Sequence, residues 1–430
     1  MAFPFQALPG FRDFAPRDRA LCAYLFEAWS RVARLYGFSE YEAPILESAE
    51  LYLKKSGGEL GKQLFRFTDQ GGRDVVLRPE LTASLARIVG EQQRNYPKPL
   101  KWFEIGRCFR YEKPQKGRLR EFYQFNADIL GEASPAADAE LAALAIDVMR
   151  ELGFRKGEFV VRLSDRAVWQ EFCSIKNIAP EQLDAFLQVV DKIERDKPEA
   201  SDKKFAEFGV TRETVCAYAA DPENASPSIQ AVLADLNQRG LADFVEIDLS
   251  IVRGLAYYSG VVFEIFDTAR SMRAIAGGGR YDGLLDILSE GSVDMPATGF
   301  AMGDAVIANL IEETPMALGR RQAWEQRQST CDVYVVIADE SNRPDALALV
   351  NDLRNGGIRT DFPLTATKIN KQFKQADAAL ARFAIVVGNE FPELKAKNLS
   401  SRTETSVPPN ADRVEAIRRL LDQPDGPLLT

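Results

Sequence analysis

Apolar residues recur at helical spacing at Leu21, Leu25, Trp29, Val32 and Leu35, with Pro16 ahead of them, and predict a long first helix over 17–36. Gly37 ends it, and SEYEAPILE follows as an extended stretch in which Pro44 keeps Ala43 non-helical. Segments 101–111 (KWFEIGRCFRY) and 120–130 (REFYQFNADIL) read as two aromatic-rich strands. The loop between them, EKPQKGRL, is turn-forming and dense in positive charge. A helix is expected over 136–152 and a strand over 158–163. From about 165 to 242 the pattern is mostly helical, broken by ERDKPEASDKK and AADPENASPS, and predicts an inserted helical subdomain. Strand signals return at 244–249, 260–266 and 273–276, the last running into Gly277-Gly278-Gly279; 298–310 reads as a strand end entering a helix.

Segment 312–330 is polar without a clear period, so a linker is expected at 316–329. Beyond it CDVYVVIA, SNRPDALALVNDLRNGG, IRTDF, KINKQFKQADAALA and RFAIVVG alternate strand with helix. That spacing predicts a small α/β domain over 330–430 with a largely parallel sheet. The earlier part, 1–164 and 243–315, is mixed: antiparallel strands with helices around them.

Composition narrows the chemistry. The chain has 430 residues, too many for one ordinary domain, and a formal charge of −9, which argues against a whole-surface nucleic-acid coat but leaves room for a local basic groove. Its five cysteines, Cys22, Cys108, Cys173, Cys216 and Cys331, form no CxxC pair and read as reduced thiols, not as a zinc site or a disulfide framework. No signal peptide or membrane span is legible, so a cytoplasmic protein is expected. There is no histidine at all. Triads with a histidine base, HExxH zinc sites and histidine phosphorelays are therefore excluded. Chemistry must run on carboxylates, Lys, Arg, Tyr, backbone groups or the substrate.

Four segments carry candidates. Arg110, Lys113, Lys116, Arg118 and Arg120 surround the charged loop, and Arg110 and Arg118 would suit a bidentate grip on a polyphosphate; a solvated hairpin tip or an ion pair with Glu104 or Glu112 is the structural alternative. LRPELT places Glu80 and Thr82 after a proline with strand period, where a carboxylate suits a substrate ammonium or is simply a strand-end glutamate. VRGLAYYSG joins Arg253 to Tyr257 and Tyr258; strand alternation sends the two rings to opposite faces unless the glycines make the backbone irregular. GGGRYDGL lacks the lysine and spacing of a P-loop and fits close approach of backbone to a ligand, or a turn.

In this order the set resembles the histidyl-tRNA synthetases, a family of class II aminoacyl-tRNA synthetases, over nearly the whole chain. LPGFRDFAP is similar to the family's opening, YGFSEYEAPILE to its dimer-forming first motif, and FRYEKPQKGRLREFYQFNADILG to its second. VRGLAYYSGVVFE and GGGRYDGLL resemble the two histidine-specific signatures, and KQFKQADAALARFAIVVG the anticodon-binding domain. The resemblance implies an α+β catalytic core, an antiparallel sheet flanked by helices, with a helical insertion and a C-terminal α/β anticodon-binding domain. It implies that Glu80, Thr82, Gln124, Asp128, Tyr257 and Tyr258 surround L-histidine. Arg110, with Glu112, would meet the ATP α-phosphate, Arg118 the outer phosphates, and Arg253 the α-phosphate from the amino acid side. Gln115 and Lys116 would meet the acceptor end of tRNA(His). Separately, Lys368, Lys371 and Lys374 recur every three residues, a spacing that suits one basic tRNA-binding helix face or simply a solvated one. ATP with Mg²⁺ is the implied co-substrate, with no protein-bound metal; a homodimer is implied, and neither DNA nor a membrane as partner.

Two positions depart from the family pattern. GFAMGDAVIANL puts Val306 where the third motif carries an adenine-stacking Arg, and RGLAYY has Ala256 in place of an Asp. The competing reading is a non-aminoacylating paralogue, such as a histidine-sensing regulatory subunit of ATP phosphoribosyltransferase. Such a subunit usually lacks the anticodon domain and the catalytic Arg. A third reading, a ligase with a different acceptor, rests on Val306.

Overall fold

A computed structural model describes residues 5–115, 117–193, 196–253, 257–269, 273–409 and 412–422, with the backbone alone at 55–60. The chain divides into two compact units, Met1–Arg321 and Gln322–Thr430.

In the first unit the strands are β1 (Ser39–Glu40), β2 (Leu46–Ser48), β3 (Phe65–Thr68), β4 (Asp74–Leu77), β5 (Leu100–Phe109) and β6 (Glu121–Leu130). They continue as β7 (Phe159–Asp165), β8 (Val245–Ile247), β9 (Val261–Asp267), β10 (Ala276–Arg280) and β11 (Ala297–Gly303). Eight form one sheet in the order β1-β5-β6-β11-β10-β9-β7-β8; β2, β4 and β3 form a small antiparallel sheet beside it. Pairing in the large sheet is antiparallel except at its two edges, β1 with β5 and β7 with β8. The aromatic hairpin β5–β6, expected as two aromatic-rich strands joined by a turn, is its longest ladder.

Helix Pro135–Glu151 starts on a proline and buries Leu141, Leu144, Ile146 and Val148 completely. It packs on the sheet and against helices Pro16–Leu35 and Pro227–Gln238. Between β7 and β8 lies the helical insertion, whose own core is built on Trp169, Phe172, Phe186 and Phe205.

Three expectations are corrected. The strand anticipated at 273–276 is Ala276–Arg280, so the glycine run is strand interior and not the turn after it. The cause is steric. A Cβ at Gly278 would overlap the carbonyl of Gly299 and the Phe300 side chain, and one at Gly277 would overlap the Arg253 guanidinium. Second, LRPELT is not strand: β4 ends at Leu77, and Thr82 opens the helix Thr82–Gln92. Third, the segment expected as a linker forms the helix Pro315–Gln326, which buries only Ala317 and so shows no apolar period.

The second unit has strands β12 (Val333–Ile337), β13 (Thr360–Asp361), β14 (Phe383–Val387), β15 (Leu394–Asn398) and β16 (Glu404–Val407), ordered β13-β12-β14-β15-β16. The first three are parallel, as predicted. β15 and β16 add an antiparallel hairpin whose alternating lysines, LKAKN, hid it. Val333, Val335 and Ile337 face the helices Arg343–Asn355 and Arg413–Asp422, while Tyr334 and Val336 face the helix Ile369–Ala378.

Candidate active site

Alternation along β6 sends Phe122, Gln124, Asn126 and Asp128 to one face, where they line a cleft of about 270 Å³. The same cleft is lined by Glu80, Thr82, Arg110, Glu112, Arg118, Arg253, Tyr257 and Tyr258. Along β6 the cleft has two ends, Phe122 and Asp128, roughly 20 Å apart at the usual strand rise.

At the Phe122 end the character is cationic. Arg110 leaves the end of β5, its guanidinium 5.3 Å above the Phe122 ring, and its Nε donates to the Pro79 carbonyl at 3.0 Å. The Glu112 carboxylate pairs with Arg118 at 2.9 Å. Gln115 lies on the loop itself, bridging to Arg118, and does not line the cleft. Lys116 falls outside the described residues.

At the Asp128 end the groups are neutral or acidic and hydrogen-bonded to one another. Gln124 donates to Asn126 at 2.6 Å, Asn126 to the Thr82 hydroxyl at 3.5 Å, and the Tyr281 hydroxyl to Asp128 at 2.6 Å. Opposite Asp128 in register is Gly299, where a side chain would collide with that carboxylate. Burial and the neighbouring Asp128 push the Tyr281 phenol well above its ordinary range. It is a fixed donor.

Arg253 and the tyrosine pair face this floor from the segment before β9. The Arg253 backbone is left-handed, φ +46°, a strained setting for a residue with a side chain. Its Nη1 meets Glu264 at 3.2 Å, and its guanidinium lies 5.5 Å from the Tyr258 ring centroid. Burial works against its charge, but Tyr258 and Glu264 outweigh it and hold the guanidinium firmly protonated. Tyr257 and Tyr258 both line the cleft, their rings 4.8 Å apart, because the segment is not a regular strand. Burial raises both phenols, so each stays a neutral hydrogen-bonding group.

Several lining residues were missed. Gln124 and Asp128 came from the family resemblance alone; strand alternation from them would have added Phe122 and Asn126. Tyr281 stood inside the glycine motif. Glu264 and Asp304 carried no local signal. Asp304, at the start of helix Asp304–Glu313, is held by Arg12 at 2.6 Å and by the Tyr123 amide at 3.0 Å. Val306 lines the cleft as an aliphatic wall near Gly117. Ala256 falls outside the described residues. In the second unit Lys368, Lys371 and Lys374 are exposed at the start and along one side of helix Ile369–Ala378. Among the described residues no group of three or more acidic or cysteine side chains gathers to hold a metal, and no helix is long and apolar enough to cross a membrane.

A mostly antiparallel sheet with helices around it, an arginine-bearing hairpin and a polar cleft across its face define a class II aminoacyl-tRNA synthetase core, followed by an anticodon-binding domain. Residues 10–305 match the family model for histidyl-tRNA synthetase, and residues 332–420 that for the anticodon binding domain. The chain is 40% identical to the histidine–tRNA ligase of Opitutus terrae, the match covering 96% of this chain and 98% of that one. It is 32% identical to that of Pyrococcus abyssi, over 97% and 100%. Among solved structures, histidyl-tRNA synthetase from a Nostoc species superposes with a TM-score of 0.76 at 21% identity, covering 97% of this chain and all of that one. The chain belongs to the histidyl-tRNA synthetase family.

Proposed function

We propose that this protein is a histidine–tRNA ligase: it joins L-histidine to AMP at the expense of ATP and passes the histidyl group to tRNA(His). In the first step a histidine carboxylate oxygen attacks the α-phosphorus and pyrophosphate leaves. In the second the terminal hydroxyl of the tRNA attacks the histidyl carbonyl carbon, AMP leaves, and the hydroxyl proton passes to a phosphate oxygen. Neither step needs a protein base, which suits a chain with no histidine. What the protein supplies is position and charge.

The observation that carries this reading is the two-ended cleft, arginines at the Phe122 end and buried, mutually hydrogen-bonded polar groups at the Asp128 end. Arg110 and Arg253 would take the α-phosphate, with Glu112 beside Arg118 and the outer phosphates. Mg²⁺ arriving on the nucleotide would neutralise those outer oxygens. Glu80, Thr82, Gln124, Asp128, Tyr257 and Tyr258 would surround the amino acid. An analogue lacking the imidazole nitrogens would leave buried partners unpaired.

Gln115 and Lys116 would meet the acceptor end, and the Lys368, Lys371 and Lys374 face the anticodon arm. The exposed apolar side chains Ile45, Leu46, Leu53, Phe67 and Ile287 support a homodimer. The setting is the cytoplasm. The anticodon-binding match at 332–420 speaks for the enzyme over a regulatory subunit.

The test is histidine-dependent exchange between ATP and pyrophosphate, run with all twenty amino acids. Exchange with histidine alone is expected. No exchange with any of them overturns the reading.

A further inference from the structure

Arg78 and Glu104 form an ion pair at 2.6 Å with only 3% and 2% of their side chains exposed. Neither lines the cleft. A buried pair of this kind adds little net stability compared with apolar residues of similar volume, so its geometry calls for another explanation. The guanidinium ties its own segment to two others, β5 and the stretch at Ala43: Nε donates to the Arg107 carbonyl at 2.8 Å, and Nη1 to the Ala43 carbonyl at 2.7 Å and to Glu104. The other Glu104 oxygen accepts the Ala43 amide at 3.3 Å. Room for this comes from Gly106 on β5, where a Cβ would overlap the guanidinium and lie 2.8 Å from the Glu104 carboxylate.

The backbone of Arg78 is pinned as well. Its amide donates to Ile45 and its carbonyl accepts from Phe109, both at 2.9 Å. Phe109 directly precedes Arg110, and the Arg110 Nε returns to the Pro79 carbonyl. Glu80 follows, its own carbonyl accepting the Tyr52 hydroxyl at 3.3 Å. Thus 78–80 and 109–110 are clasped, and any shift of Arg78 moves both a cationic and an acidic side chain of the cleft.

We propose that Arg78, braced by Glu104 and admitted by Gly106, is the positioning residue that fixes Glu80 and Arg110 relative to each other across the cleft. The role rests on the reading of that cleft as the adenylation site. It differs from a role in folding alone because it ties the amino acid end and the phosphate end to one support.

The test compares Arg78→Lys and Glu104→Gln in the full chain, with Glu80→Gln and Arg110→Lys as single-end controls. Pyrophosphate exchange is measured per competent site, counted by active-site titration, below each variant's melting temperature. For both support variants kcat should fall about 100-fold, the scale of loss for a small misplacement of reacting groups, and KM should rise for histidine and for ATP together. Glu80→Gln should raise KM chiefly for histidine, and Arg110→Lys should act chiefly on the nucleotide. Support variants with a lowered melting temperature but unchanged kcat and both KM values would overturn the proposal. Should Arg78→Lys fail to fold, Glu104→Gln decides alone, since it keeps the side-chain size. If the unmutated chain shows no exchange, the functional reading fails first. The support is then judged by whether calorimetric binding of histidine and ATP weakens jointly in Glu104→Gln; unchanged binding of both overturns it.

Discussion

Inside the eight-stranded sheet β6 buries Gln124, Asn126 and Asp128 along one face, whereas β12, also an interior strand of its five-stranded sheet, buries Val333, Val335 and Ile337 on one face and Tyr334 and Val336 on the other. Each unsatisfied polar group in such a place costs about 1–3 kcal/mol, so the first sheet carries a permanent demand for partners that the second avoids. The demand is met partly within the protein, through Thr82 and Tyr281, and the remainder faces an open cleft. The second sheet is built for packing, and Lys368, Lys371 and Lys374 of that unit stay exposed. One unit buries polar side chains beside an open cleft; the other keeps its charge at the surface.

That contrast can be broken or sharpened by mutation. The largest effect is expected for Arg253→Ala, which should cut histidine-dependent exchange by about 1000-fold while histidine binding stays measurable by calorimetry. Unchanged exchange would remove Arg253 from the mechanism. Gly277→Ala should come next, at about 100-fold, because the new methyl would overlap the Arg253 guanidinium and press on the Glu264 side chain, and so displace the arginine without removing it. A variant with full activity would show that Arg253 has another place to lie.

Glu104 gives, besides its effect on exchange, a pH-dependent effect on stability. Burial pushes its carboxyl up to about 7, from 4.5, although Arg78 opposes the shift. A carboxyl raised on folding binds more protons folded than unfolded, so its contribution is full below 4.5 and is lost as pH rises through 7. With no histidine to titrate in the same window, the melting temperature should fall between about pH 5 and 7, and Glu104→Gln should flatten that slope. An identical slope in the variant refutes the assignment. Smallest should be the triple change of Lys368, Lys371 and Lys374 to Gln, weakening tRNA binding about 10-fold and reducing its salt dependence, with exchange untouched. A loss of exchange would contradict the division of labour between the units.

How much of this was legible follows from the same contrast. The hairpin 100–130, the first helix and the parallel strands of the second unit announced themselves because apolar period and burial coincide there. Tyr257 and Tyr258 line one cleft against simple alternation, because they stand outside any regular strand. The β10 glycines read as a loop because their burial is made by neighbours' atoms, which a sequence does not display. Arg78 and Glu104, 26 positions apart, carried no local pattern either. The site residues inside recognisable motifs were found, and those joined only through space were not.

The glycines of β10 and β11 also set the limits of redesign. Where Gly277 and Gly299 lie, the boundary of the cleft is main chain, and a side chain at either would fill it. Attempts to fit a bulkier amino acid must trim Tyr257, Tyr258 or Tyr281, because no truncation can hollow a glycine further. From that side the pocket can only be made shallower.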